Sequence, residues 1–178
     1  IAVLIGLGFA SGLPYVLAQD TLKAWLSQAQ IDVQKIGLFG LITFPYVFKF
    51  LWAPLMDRFA LPFLGRRRGW LMLTQAGIAV ALLAVAVTGP SDVNSWLMPM
   101  AIAGTLLVFL SASQDIVADA YRTEVLPRAE LGAGAAVFVM GYRVAMIAAG
   151  AGALFLASSL GWRATYVLFA ILMGLGTI

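Results

Sequence analysis

The sequence predicts an all-α integral membrane protein, a bundle of six transmembrane helices. Hydrophobic residues make up 62% of its 178 residues and charged residues only 11%, with a mean hydropathy of +0.98. Soluble domains carry about 25% charged residues, and a chain this apolar cannot hide its surface in one core, so the bilayer is its expected solvent. The apolar residues also fall into six runs, each near the ~20 residues a helix needs to cross the hydrocarbon. Short polar connections between the runs make neighbouring helices antiparallel.

In order, the first run covers about 1–26 and contains Gly12 and Pro14; the second covers about 36–56. A polar, glycine-containing loop at about 57–69 separates it from the third, 70–88. "GPSDVNS" reads as a turn from its Gly, Pro, Asp and Asn, and the fourth run follows at about 96–121. A second polar loop, 122–131, leads to the fifth run, 132–158, and the sixth covers 162–178. No charged segment or small-residue cleavage site marks a signal peptide. Both ends of the chain fall inside apolar runs, the expectation for half of a longer protein.

Lysine and arginine counts set the orientation. The loops after the second and fourth runs hold Arg58, Arg66, Arg67, Arg68, Arg122 and Arg128; the opposite side holds mainly Lys35 and Arg163, with Lys23 near the end of the first run. The positive-inside rule places the arginine-rich loops in the cytoplasm. The net charge of +3 and pI near 9.5 report those loops, not affinity for nucleic acid. The chain has no Cys and no His, which excludes disulfides, thiol nucleophiles, thiolate or imidazole metal sites and imidazole bases.

Some charges stay inside the runs. Lys49 precedes Arg58 by nine residues, about 13 Å along a helix, and Arg143 is comparably deep in the fifth run. Asp115 and Asp119, spaced i, i+4, share one helix face. A charge at mid-bilayer costs roughly 2.5–3.5 kcal/mol on insertion scales, so pairing or a wet cavity is implied. A purely structural salt bridge between Lys49 or Arg143 and an aspartate is one solution. A functional cavity is the other, and polar neighbours favour it: Gln75, Gln114, Gln19, Asp20 and Lys23, with Trp25, Tyr46 and Tyr142 as rings able to stack on a sugar or anchor at an interface. "GAGAA" and "AAGAGA" in the fifth run read as helix-packing surfaces. Asp115-x-x-x-Asp119 also has the form of a Mg²⁺-pyrophosphate motif of intramembrane prenyltransferases, but the second acidic cluster such enzymes need is missing. A non-transporting membrane scaffold is a third class.

Three segments, "FASGLPYVLAQDTLKAWL", "YVFKFLWAPLMDRFALPFLGRRRGW" and "SASQDIVADAYRTEVLPRAELGAGAAVFVMGYR", resemble in order and spacing the first half of the AmpG-type muropeptide permeases of the major facilitator superfamily. Acetyl-coenzyme A transporters share parts of the pattern. The 57–69 loop is similar to the superfamily signature G-x-x-x-D-R-x-G-R-R, with Asp57, Arg58, Arg66, Arg67 and Arg68 matching; Ala53 replaces the glycine, and "FALPFLG" lengthens the gap, as in the AmpG-like variant. The resemblance implies the N-terminal six-helix half of a twelve-helix transporter. Its substrate would be an anhydromuropeptide, N-acetylglucosamine linked to anhydro-N-acetylmuramic acid with or without peptide, and its site the inner membrane of a Gram-negative bacterium. It implies no cofactor, protons being the coupling ion. On that footing Asp115 and Asp119 are expected to couple protons, and Lys49 and Arg143 to bind substrate carboxylate. Gln114, Gln19, Tyr46 and Trp25 would contact sugar, and Asp57, Arg58 and Arg66 to Arg68 would govern gating. Expected partners are the lipid bilayer, the solute and the C-terminal half.

Overall fold

The computed structural model describes residues 2–59, 65–90 and 96–176. Outside them lie part of the 57–69 loop, most of "GPSDVNS" and the two ends of the chain. Among the described residues the regular structure is helical. Helix α1 (Ala2–Val16) passes through a π-helical turn (Leu17–Thr21) into α2 (Leu22–Gln28). The next segment alternates α3 (Val33–Leu38), a 3₁₀ stretch (Phe39–Thr43), α4 (Phe44–Phe48), a 3₁₀ turn (Lys49–Leu51) and α5 (Ala53–Arg58). Two long helices follow, α6 (Arg66–Val87) and α7 (Leu97–Val125). After a 3₁₀ turn (Arg128–Glu130), α8 (Leu131–Ile147) continues through a second π turn (Ala148–Gly152) into α9 (Ala153–Leu160), and α10 (Trp162–Leu175) closes the series.

Four stretches are long and apolar enough to cross a membrane: Ala2–Gln28, Arg66–Val87, Leu97–Val125 and Arg128–Leu160; α10 is shorter. Three boundaries differ from the sequence reading. The second run is not one α-helix, because Pro45 and Pro54 start α4 and α5, each removing a backbone donor and crowding the turn before it, which tightens to 3₁₀. The arginine run is not loop: α6 begins at Arg66, directly after Gly65 at φ +75°. And α7 runs beyond Tyr121 to Val125, stopping where Pro127 forces Leu126 into extended backbone. Pro14, by contrast, is absorbed inside α1.

The core is built from Leu13, Leu17 and Leu26 of the first rod, Ile78 and Leu82 of α6, Met100 and Leu107 of α7, and Tyr166 of α10, each less than 2% exposed. Outward-facing Val87, Ile147 and Phe155 are about as exposed as surface residues of a soluble protein, the arrangement lipid contact requires. The two π turns abut. Thr21 donates to the Ala149 carbonyl at 2.6 Å, and the Tyr166 hydroxyl donates to the Leu17 carbonyl at 2.8 Å. Backbone groups displaced from the α ladder thus find partners on neighbouring helices.

Candidate functional site

Polar residues converge where α1, α4, α7 and α8 meet. On α7, Ser111 and Asp115 are one turn apart on one face; on α1, Ser11 and Tyr15 are spaced the same way. The Tyr46 hydroxyl of α4 is 2.6 Å from Ser111 Oγ. Its ring meets that of Tyr15 edge to face, centroids 5.0 Å apart at 86°. Lys49 Nζ lies 5.9 Å from the centroid of the same ring, one turn along from Tyr46. Asp115 feels the charges of Lys49 and Asp119 and has Ser11 and Tyr46 beside it, while Tyr142 lies in the fields of Asp115, Tyr15 and Arg143.

Three oxygens here are buried without a hydrogen-bond partner among the described residues: Asp115 Oδ1, Ser11 Oγ and Gln114 Oε1. A buried polar atom left this way costs about 1–3 kcal/mol, more for a charged group.

The sequence-predicted residues do not all collect at this point. Tyr46, Lys49 and Asp115 do, with Arg143 exposed at the margin, while Gln114 is buried on the same helix with its Oε1 unpartnered among the described residues. Asp119 is exposed and paired with Arg122, one turn towards the arginine-rich end, at 3.1 Å. Trp25 stands apart in the core, stacked on Trp162 with centroids 6.0 Å apart and tilted against Tyr166 at 5.3 Å. Gln19 is half-buried on the first π turn, and Gln75 spends its amide on the Met173 carbonyl at 3.2 Å. Among the described residues, neither Lys49 nor Arg143 forms an ion pair with a carboxylate. The structural salt bridge therefore does not form, because Asp119 turns to Arg122 and Asp115 stays unbridged. Ser11, Tyr15 and Ser111 were not picked out by sequence reasoning. Their i, i+4 spacing, with Ser111 one turn before Asp115, was the available signal.

A second polar cluster closes the arginine-rich end. Arg67 bonds Asp57 Oδ1 at 2.5 Å and Glu124 Oε1 through Nε at 2.9 Å, while Arg66 reaches the Asp57 carbonyl at 3.1 Å and Glu124 at 3.3 Å. These bonds tie α5, α6 and α7 together, and they place cations on the first turn of α6, where the helix dipole disfavours them. The acids offset that cost. Arg58 and Arg68 are exposed. Because both acids are about half exposed, a double-mutant cycle on Arg67→Ala and Glu124→Ala is expected to give a coupling energy of only about 1 kcal/mol. It should shrink as salt is raised; a coupling that ignores salt would contradict this reading.

Long apolar helices that carry a cluster of polar side chains between them are those of a multi-pass membrane protein. The chain belongs to the acetyl-coenzyme A transporter 1 family, whose family model matches residues 1–166. It is 50% identical over 173 residues to the anhydromuropeptide permease of Escherichia coli K12, a match covering 97% of this chain and 35% of that protein. An uncharacterized protein of Haemophilus influenzae is 38% identical over 166 residues, covering 93% of this chain and 38% of the relative. The chain thus spans little more than a third of the length of these relatives. Its family is one of transporters, and the prenyltransferase reading of Asp115-x-x-x-Asp119 is set aside on that ground.

Proposed function

We propose that this chain is the N-terminal six-helix half of a twelve-helix major facilitator transporter that carries anhydromuropeptides into the bacterial cytoplasm with protons, returning cell-wall fragments for recycling. The observation that carries the reading is Asp115, a carboxylate set inside a membrane helix among Ser11, Tyr46 and Tyr142 with one oxygen unpartnered. The 50% identity to an anhydromuropeptide permease supports the choice of solute. In this reading Asp115 loads and releases the proton. Lys49 and Arg143 attract the carboxylates of the solute, Arg with a bidentate grip, and Tyr46 and Gln114 offer hydrogen bonds to sugar hydroxyls. The path lies between two pseudo-symmetric halves at mid-membrane, so the C-terminal half completes the cavity, and Asp57 with the arginines of α5 and α6 gates it from the cytoplasmic side.

The family model favours a second reading, with acetyl-coenzyme A as the anionic solute. Uptake of labelled anhydromuropeptide into inside-acid-free vesicles holding the intact transporter, with an outside-acid pH gradient, distinguishes the two. The expected result is accumulation that unlabelled anhydromuropeptide suppresses and acetyl-coenzyme A does not. Suppression by acetyl-coenzyme A alone, or uptake indifferent to the pH gradient, would overturn the first reading.

A further inference from the structure

A crevice on the bundle lies apart from the Asp115 site. It holds about 460 Å³ between α1, α6 and α10, lined by Leu7, Phe9, Leu172 and Met173, and it is continuous, through Val3, Leu7, Gln75 and Gly176, with a second crevice of about 280 Å³. The second crevice opens at Arg68, Met72 and Tyr121. From Val3 to Ala10 the slot follows α1 for about 10 Å. Its sides are apolar and accessible: Val3 and Leu175 are each 63% exposed. Among the lining residues the one charged side chain, Arg68, stands at one end. Gln75, the polar residue partway along, already gives its amide to Met173.

That end carries a cation outside the ion-pair cluster. Arg66 and Arg67 are paired with Asp57 and Glu124, whereas Arg68, next in the run, is exposed and forms no ion pair among the described residues. Its guanidinium presents five donors in a planar fork suited to a phosphate, and the Tyr121 hydroxyl shares the mouth. The combination sits where the helices emerge from their apolar stretches, at headgroup level.

We propose that this slot binds one anionic phospholipid, its phosphate on Arg68 and an acyl chain laid between α1, α6 and α10. The occupant follows from the distribution of polarity. A neighbouring peptide would bring backbone amides that need partners along the whole slot, and besides Gln75, whose amide is already given to Met173, the side chains between Val3 and Ala10 are apolar. An acyl chain needs none, and only its head asks for charge, at the end where charge is available. Basic pockets between transmembrane helices on the cytoplasmic side are where anionic headgroups bind.

Native mass spectrometry of the intact transporter in mild detergent, offered phosphatidylglycerol and phosphatidylcholine in equal amounts, tests this. Wild type is expected to retain one phosphatidylglycerol in preference by about fivefold, the factor that ~1 kcal/mol per basic side chain near the surface gives. Arg68→Gln should erase the preference, whereas Arg163→Gln, a charge removed from the other end of the bundle, should leave it intact. Leu7→Trp, which fills the slot and spares the cation, should lose the bound lipid. Equal retention of the two lipids by wild type, no retained lipid, or a preference that survives Arg68→Gln would overturn the proposal.

Discussion

Valine at Gly8 or at Gly141 is expected to prevent the native bundle from assembling, while valine at Gly6, less than one turn from Gly8, is expected to be tolerated. The difference lies in how closely α1 and α8 approach. A Cβ built on Gly8 would collide with the Phe138 carbonyl oxygen, and one on Gly141 with the Ile5 carbonyl oxygen; on Gly12 it would lie 2.8 Å from the Tyr142 carbonyl. These obstacles are backbone, which cannot swing aside as a side chain would. Around Gly6 there is nothing within 4 Å. With no hydrophobic force between helices in lipid, close backbone contact is itself the attraction, so separating the pair forfeits the contact along the whole interface. Overpacking costs about 1–3 kcal/mol where side chains can give, and a loss of about 3 kcal/mol or more is expected here, against an overall stability of roughly 5–15 kcal/mol. Thermal unfolding in detergent and membrane yield are the readouts. Equal midpoints for Gly8→Val and Gly6→Val would contradict the packing account. Because α8 carries Tyr142 and α1 carries Ser11 and Tyr15, the same close approach also sets how near these side chains come to one another.

This interface shows what could and could not be read in advance. Gly8 and Gly12 stand in the sequence as G-F-A-S-G, the spacing that lets helices touch, but the glycine-rich runs of the fifth span carry the same compositional signal more strongly; of those, Gly132 faces open space while Gly134 packs on Leu126. Composition reports that helices pack, and only the rotation of each helix decides which glycine meets which backbone. Long apolar runs were legible for the same reason in reverse, since twenty residues of hydrocarbon have one low-energy solution in a bilayer. The interruptions of the second run were visible as Pro45 and Pro54, but the π turns at Leu17–Thr21 and Ala148–Gly152 have no residue signature; their displaced carbonyls are held by Thr21 and Tyr166 from distant positions. Trp25 misleads similarly. A tryptophan near a helix end is as suitable for a sugar as for a core, and Trp162 and Tyr166, some 140 residues away, decide for the core. Asp115 and Asp119 are chemically identical and four residues apart, and what separates them is Arg122, which reaches only the latter.

Replacing Asp115 by asparagine is expected to abolish solute accumulation driven by a pH gradient while leaving solute exchange intact; Asp119→Asn is expected to change neither by more than about twofold. The two predictions diverge because the environments do. Asp119 is exposed and paired with Arg122 at 3.1 Å, so an amide there removes one surface interaction worth at most about 1 kcal/mol. Asp115 is half-buried beside Ser11 and Tyr46, with its Oδ1 fully buried and unpartnered among the described residues, and an ionisable group in such a place inside a membrane helix is a candidate to hold a coupling proton. Exchange needs only binding and the rocking of two halves about a fixed site, whereas accumulation needs a group that loads on one side and releases on the other. Asparagine keeps the shape and cannot release a proton. A structural role predicts something else. If Asp115 serves to offset Lys49, the amide leaves that half-buried ammonium uncompensated in low dielectric at a cost of several kcal/mol, and the loss shows as poor membrane yield that Lys49→Met restores. The experiment is therefore Asp115→Asn and Asp119→Asn, each alone and with Lys49→Met, in the intact transporter, scored for yield, exchange and pH-driven uptake. Normal yield and exchange with uptake lost only in Asp115→Asn is the expected pattern. Full pH-driven uptake in Asp115→Asn would remove the coupling role from this residue, and yield rescued by the double change would assign it to packing instead.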